Sequence, residues 1–81
     1  MSKIEKLLLK FKSVPKDLTW GELIKILNYY GYYEKSTKGK TGGSRRKFIN
    51  KNLDIISLHK PHPRNIVKQY VIKQLIEKLE L

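Results

Sequence analysis

The first third of the chain carries its apolar residues at helical intervals. One apolar stripe has the i, i+3, i+4, i+7 spacing of a single helical face. It consists of Ile4, Leu7, Leu8 and Phe11. Pro15 ends the stripe, because proline lacks the N–H that would continue a helix. The pattern predicts an amphipathic helix within residues 1–15 that packs on the rest of the chain rather than lying on a membrane surface.

The clearest local signal is the start of a second helix. Thr19 with Glu22 three residues later forms the capping-box pattern, in which each side chain satisfies the other residue's backbone N–H. Leu18 and Leu23 stand at the two positions of a hydrophobic staple. Gly31 is a natural end, because glycine accepts the left-handed conformation that closes many helices. We therefore expect a helix over residues 20–30.

Three segments in the middle of the chain have the composition or the alternation of β-strands. They are residues 32–35, 44–49 and 54–59. The third alternates most clearly, with Ile56 and Leu58 on one face and the neighbouring positions on the other. Asn50 and Asn52 supply a turn before it. The three segments therefore predict a small antiparallel meander.

Helical spacing returns near the C-terminus, over residues 67–79. Asn65 is the best N-cap by residue type, and Lys68 is the alternative boundary. The predicted order is α-α-β-β-β-α. This is an α+β fold in which a three-stranded antiparallel sheet packs against the helices. A chain of 81 residues suits a single domain, residues 1–81.

Positive charge is concentrated in one part of the chain. Residues 35–70 contain ten Lys or Arg and one acid, and so carry +9 of the formal net charge of +11. A local excess of this size indicates a polyanionic partner, most simply nucleic acid. The same stretch holds both histidines and the most glycine-rich segment. The candidate chemistry therefore lies within it.

The residue types that are rare or missing exclude several kinds of site and of protein. There is no cysteine, which excludes disulfides and thiolate-bound metals. Two histidines with one nearby carboxylate make a poor metal set. No apolar run approaches the ~18 residues of a membrane span. We expect a cytoplasmic protein with no metal, no small-molecule cofactor and no membrane contact.

A basic, glycine-rich loop precedes the second strand. Its glycines let backbone N–H groups approach a phosphate, and arginine forks hold a phosphate bidentately. It lacks the Gly-Lys-Ser/Thr of a nucleotide-triphosphate loop. The candidate RNA-binding residues in and beyond this loop are Lys38, Lys40, Ser44, Arg45, Arg46, Lys47, Lys60 and Arg64. The alternative is a solvated hairpin loop without a ligand.

His59 and His62 are the candidates for proton transfer near neutral pH. RNA can be cleaved without a metal when one group deprotonates the 2′-OH, another protonates the leaving 5′-oxygen, and cations stabilise the charged phosphorane. The alternative is structural, with His59 at a strand end and His62 in a turn stiffened by Pro61 and Pro63. On spacing alone, the structural role is favoured.

Four tyrosines lie close together where the second helix meets the first strand. They are Tyr29, Tyr30, Tyr32 and Tyr33. Aromatic side chains beside basic residues can stack on unpaired bases, but at a helix end packing is the favoured role. The exposed exception that we expect is Tyr29 or Tyr33.

Residues 19–81 resemble the HicA toxins, small ribonucleases of bacterial and archaeal toxin–antitoxin pairs. The resemblance lies in the order and spacing of four pieces. They are the helix 19–27 ending at Gly31, Gly43-Ser44-Arg45-Arg46-Lys47-Phe48, Pro61-His62-Pro63, and the final helix around residues 71–75. Under this resemblance residues 1–15 form an N-terminal helical extension and residues 19–81 a HicA-like core.

The resemblance implies a fold similar to the double-stranded-RNA-binding domain, cleavage of messenger RNA (mRNA), and neutralisation by a HicB-like antitoxin. It also implies a catalytic histidine just after Gly-Ser, where this chain has Arg45, Arg46 and Lys47. Only His62 matches a family histidine. His59 is a further candidate, because a neighbouring strand can place it near Arg45. Arginine stays protonated and is a poor base, yet it can hold the phosphate.

Three hypotheses follow from these observations. The first is a HicA-like toxin that cleaves mRNA as a metal-independent endoribonuclease. In it His59 or His62 transfers the proton, and Arg45 and Arg46 hold the phosphate. The second is a non-catalytic RNA- or DNA-binding module of the same fold. The third is an interaction protein whose basic face docks an acidic partner.

Overall fold

Three helices and three strands make up the computed structural model, which describes residues 2–35, 45–61 and 64–81. In chain order they are α1 (Lys3–Lys12), α2 (Trp20–Tyr29), β1 (Tyr33–Glu34), β2 (Arg45–Ile49), β3 (Ile55–His59) and α3 (Gln69–Lys78). The predicted α-α-β-β-β-α order and the α+β class are confirmed.

The strands form one antiparallel sheet in the order β1-β2-β3. Along β2 and β3, Phe48 lies opposite Ile56 and Arg45 lies opposite His59. Phe48 and Ile56 are buried, whereas Ile55 is 51% exposed. Because successive strand residues face opposite sides, the sheet has one covered face and one open face, as the alternation predicted.

The helices cover one face of the sheet and share its core. The Trp20 ring of α2 meets the Phe48 ring of β2 edge to face, with centroids 6.0 Å apart. Such a pair adds to the stabilisation that burial itself gives. The complete buried cluster is Phe11, Leu18, Trp20, Leu23, Ile26, Leu27, Tyr32, Phe48, Ile56, Val67, Ile72 and Leu75.

The start of α2 follows the sequence signal closely. The backbone N–H of Glu22 donates to Thr19 Oγ1 at 3.1 Å, and the N–H of Thr19 donates to Glu22 Oε1 at 3.0 Å. The bond from the Thr19 N–H, together with the ammonium of Lys10 at 3.3 Å, lowers the pKa of the Glu22 carboxyl. Leu18 and Leu23 are fully buried, as the staple requires.

The end of α2 is a Schellman motif. The N–H of Gly31 donates to the carbonyl of Asn28 at 3.0 Å, and the N–H of Tyr32 donates to that of Leu27 at 2.8 Å. Gly31 has a φ of 89°, a conformation that favours glycine. The turn sends the chain directly into β1.

The last helix begins at Gln69, which agrees with Lys68, the second of the two boundaries that the sequence offered, and not with Asn65. The N–H of Val67 donates to the carbonyl of Leu18 at 2.8 Å, and the carbonyl of Asn65 accepts from the N–H of Trp20 at 2.8 Å. This bridge holds residues 65–67 extended. Lys68 is therefore the N-cap, and its side chain makes no capping hydrogen bond.

The first helix packs on the domain through its apolar stripe, as predicted. Phe11 of α1 is fully buried, and Lys10 pairs with Glu22 at the start of α2. Gln69 Nε2 donates to the carbonyl of Val14 at 2.7 Å and ties the segment after α1 to α3. None of the helices in the described part of the chain has the length and apolar content needed to cross a membrane.

Candidate nucleic-acid interface

One end of the open sheet face is basic and carries a histidine. His59, the last residue of β3, is exposed and is the register partner of Arg45. Two residues along, Lys47 is exposed opposite Ser57. Residues directly opposite one another in an antiparallel pair share a face. The register therefore sets the strand positions of His59 and Arg45 opposite each other at this end of the sheet.

The other end of the same face is apolar and aromatic. Tyr33 is 58% exposed and pairs with Ile49, which in turn pairs with Ile55. Tyr29, at the end of α2, is also exposed, while Tyr32 is buried. The sequence named Tyr29 or Tyr33 as the exposed member of the tyrosine group, and both are exposed.

Arg46 belongs to the opposite face of β2. It is the register partner of Leu58, and its Nε lies 3.3 Å from Oε2 of Glu34 in β1. An ion pair of this kind holds the guanidinium in place and offsets its charge. Arg45 and Arg46 were grouped in the sequence as phosphate-holding residues, but they occupy consecutive positions of one strand, and such positions belong to opposite faces of a sheet.

A groove that His59 helps to line lies between the end of β3 and the start of α3. Its volume is about 540 Å³. We call it the basic groove, and the residues that matter here are Trp20, His59, Lys60, Arg64, Lys68 and Tyr70. Trp20 is buried, whereas Tyr70 is 60% exposed. None of the lining residues in the described part of the chain is acidic.

Apart from Arg46, the predicted site residues that the structure describes fall into two neighbouring groups. His59, Lys60 and Arg64 line the basic groove, and Arg45 and Lys47 lie in β2 beside His59. His59 belongs to both groups. Four further predicted residues, Lys38, Lys40, Ser44 and His62, lie outside the described residues.

Lys68 and Tyr70 are groove residues that the sequence did not single out as site residues. They stand at and just after the N-cap of α3. The buried residues of that helix, Ile72 and Leu75, define an apolar stripe that excludes both. The sequence signal that could have identified them is a tyrosine next to a basic segment and outside the apolar stripe of the helix.

Metal-binding side chains are not gathered in this part of the molecule. Across residues 2–35, 45–61 and 64–81, no three His, Cys, Asp or Glu side chains are grouped so that they could hold a metal ion. The side chains that do converge are cations, one histidine and one tyrosine. Their chemistry suits phosphates and bases.

Comparison with known families gives one match. A family model described as the HicA toxin of bacterial toxin–antitoxin matches residues 20–81. The matched range contains the whole sheet, α2, α3 and the basic groove, and α1 precedes it. Searches of curated proteins and of solved structures found no match.

Proposed function

Because the chain belongs to the HicA toxin family, we propose that it binds mRNA and cleaves it without a metal ion, using the ribose 2′-OH as the nucleophile. The observation that supports this most directly is the position of His59. It is exposed where the basic end of the open sheet face meets the basic groove. A histidine surrounded by phosphate-binding cations can transfer a proton at the scissile linkage.

The proposed reaction consists of two proton transfers and one displacement. The 2′-OH gives its proton to a base while the 2′-oxygen bonds to the adjacent phosphorus. The 5′-oxygen leaves with the electrons of its bond to phosphorus and takes up a proton. The products are a 2′,3′-cyclic phosphate and a free 5′-OH. His59 is the proposed proton-transfer group, and His62 is the second candidate.

Arg45 is proposed to hold the phosphate rather than to move a proton. Its guanidinium is always protonated, so it cannot serve as a base, but it can stabilise the negative charge that the phosphorane gains. The register supports this assignment, because Arg45 in β2 is the partner of His59 in β3. The proposal therefore assigns proton transfer to β3 and charge stabilisation to β2.

A second candidate function is an RNA- or DNA-binding module of the same fold that performs no chemistry. One observation favours it. Among the hydrogen bonds and ion pairs of the described residues, none orients the His59 ring, whereas a catalytic base is commonly held by a third group. The same cations would then serve binding alone.

A cleavage assay with a single-stranded RNA oligonucleotide separates the two candidates. We expect cleavage to persist in EDTA and to leave a 2′,3′-cyclic phosphate or the monophosphate formed by its hydrolysis. A 2′-deoxy sugar at the cleaved position should abolish cleavage there, because the nucleophile is gone. Tight RNA binding without cleavage would favour the non-catalytic module, and cleavage of the 2′-deoxy substrate would contradict the mechanism.

The family implies a cognate antitoxin partner. We propose that a HicB-like antitoxin covers the basic end of the sheet face and the groove with an acidic surface. Complementary charge of this kind speeds encounter more than it sets the final affinity. In a complex, Lys47, Lys60 and Arg64 should become protected from amine- and guanidine-directed labelling. Unchanged labelling of all three would contradict this placement of the antitoxin.

A further inference from the structure

We propose that the basic groove is a subsite for one unpaired nucleotide of single-stranded RNA. In this arrangement the base stacks on Tyr70 and the flanking phosphates lie on Lys60, Arg64 and Lys68. The inference rests on the proposed RNA binding. It adds that the bound RNA is single-stranded, and it names the residues that distinguish a single strand from a duplex.

The size of the groove points to one nucleotide. Its volume of about 540 Å³ falls within the roughly 300–1,000 Å³ of sites that enclose a small molecule. A base within a duplex is stacked and paired, and it enters a pocket only after it has been unstacked and unpaired. An already unpaired base avoids that cost. Single-stranded RNA is therefore the substrate that fits.

Tyr70 provides a stacking surface at the edge of the groove. It is 60% exposed, so little of its ring is used in the core of the domain. Trp20 also lines the groove, and its ring packs edge to face on Phe48 in the core. An exposed aromatic ring next to cations is the arrangement that single-stranded nucleic-acid sites use.

The charges of the groove favour the binding of phosphate groups. Lys60, Arg64 and Lys68 line it together with His59, and no acidic residue of the described part does so. None of these three cations takes part in an ion pair among the described residues. Like charges gathered in one concavity repel one another and concentrate anions there. Phosphates on either side of a bound base would offset that repulsion.

Single-stranded RNA explains the groove better than two other polyanions. Duplex RNA could lie across the cations, but it would leave the cavity and Tyr70 unused. The carboxylates of an acidic protein segment would match the charge, but they have no aromatic ring that could stack on Tyr70. The combination of a nucleotide-sized cavity, an exposed ring and three cations selects the unpaired nucleotide.

The test uses a single-stranded RNA about ten nucleotides long, within the range of known single-strand site sizes. It carries 2′-O-methyl groups that prevent cleavage, and 2-aminopurine as a fluorescent base. Tyr70→Ala should weaken binding about tenfold or more and remove the change in 2-aminopurine fluorescence. Tyr70→Phe keeps the ring and should bind nearly as wild type. Tyr33→Ala is the matched control, because Tyr33 is equally exposed at 58% but lies far along the open face.

The possible failures are distinguishable. If the wild-type protein binds no RNA, the proposed function itself is wrong. If it binds RNA, but Tyr70→Ala binds as tightly and the 2-aminopurine signal persists, the groove assignment alone is overturned and the groove is left for a protein partner. Equal Kd values for the single strand and for a duplex of the same sequence would also overturn it. Circular dichroism of each variant checks that the fold is retained.

Discussion

Cleavage of RNA should slow by about 10²–10⁴-fold when His59 is replaced by alanine, the range that a positioned general acid or base contributes. The physical reason is the loss of a group that accepts or returns a proton near neutral pH. His59 is exposed at the end of β3, so its removal leaves the core intact. RNA affinity should change far less, because the surrounding cations remain. Single-turnover rates with saturating protein, together with Kd for uncleavable RNA, measure the two effects separately.

Two further variants separate proton transfer from the mere loss of a side chain. His59→Gln keeps a polar side chain that cannot carry the proton, and it should be as slow as His59→Ala. Ser57→Ala changes an exposed residue of the same strand and should cleave at close to the wild-type rate. We expect His62→Ala to slow cleavage less than His59→Ala does. Undiminished cleavage by a variant that lacks both histidines would contradict the mechanism.

The parts of the fold that were predictable are those governed by neighbours in sequence. The start of α2 followed from Thr19 and Glu22, and its end from Gly31, because capping boxes and left-handed glycines act within four or five residues. The alternation of β3 placed Ile56 in the core and His59 on the open side. That single alternation was sufficient to predict which face of the sheet is open.

The start of α3 was predictable only as two alternatives, Asn65 and Lys68, because a distant segment decides between them. Asn65 suits an N-cap by residue type, but its carbonyl is engaged by the N–H of Trp20, about 45 residues away in the chain. The groove was missed for the same reason. Trp20 lines it together with residues between 59 and 71, and no periodicity along the chain shows that Trp20 and this distant segment enclose a cavity.

The region around the groove also departs from local rules that the rest of the chain follows. Lys68 is a poor N-cap and makes no capping hydrogen bond, and the first turn of α3 has no acidic residue. Both α1 and α2 begin with a capping box that includes a glutamate. Cations near the positive end of a helix dipole are unfavourable. Such local conflicts are expected where binding, rather than stability, selects the residues.

RNA affinity should fall roughly 300-fold as salt rises from about 50 to about 200 mM, if about six phosphates of a single strand are contacted. Each contact releases condensed counterions, so the logarithm of the binding constant falls linearly with the logarithm of the salt concentration. The cations that make these contacts are expected within residues 35–70, which carry a net charge of +9. Fluorescence anisotropy of uncleavable RNA at a series of salt concentrations measures the slope.

The same slope tests where the phosphates bind. The double variant Arg64→Ala, Lys68→Ala removes two cations of the groove and should reduce the slope by about 1.4, since each single-strand contact contributes about 0.7. Lys25→Ala, Lys73→Ala removes the same charge from exposed helix positions outside the basic segment and serves as the matched control. Its slope should remain at the wild-type value, because a change in net charge alone does not remove a phosphate contact. If both double variants lower the slope equally, RNA is attracted by the overall charge and the groove makes no specific phosphate contact.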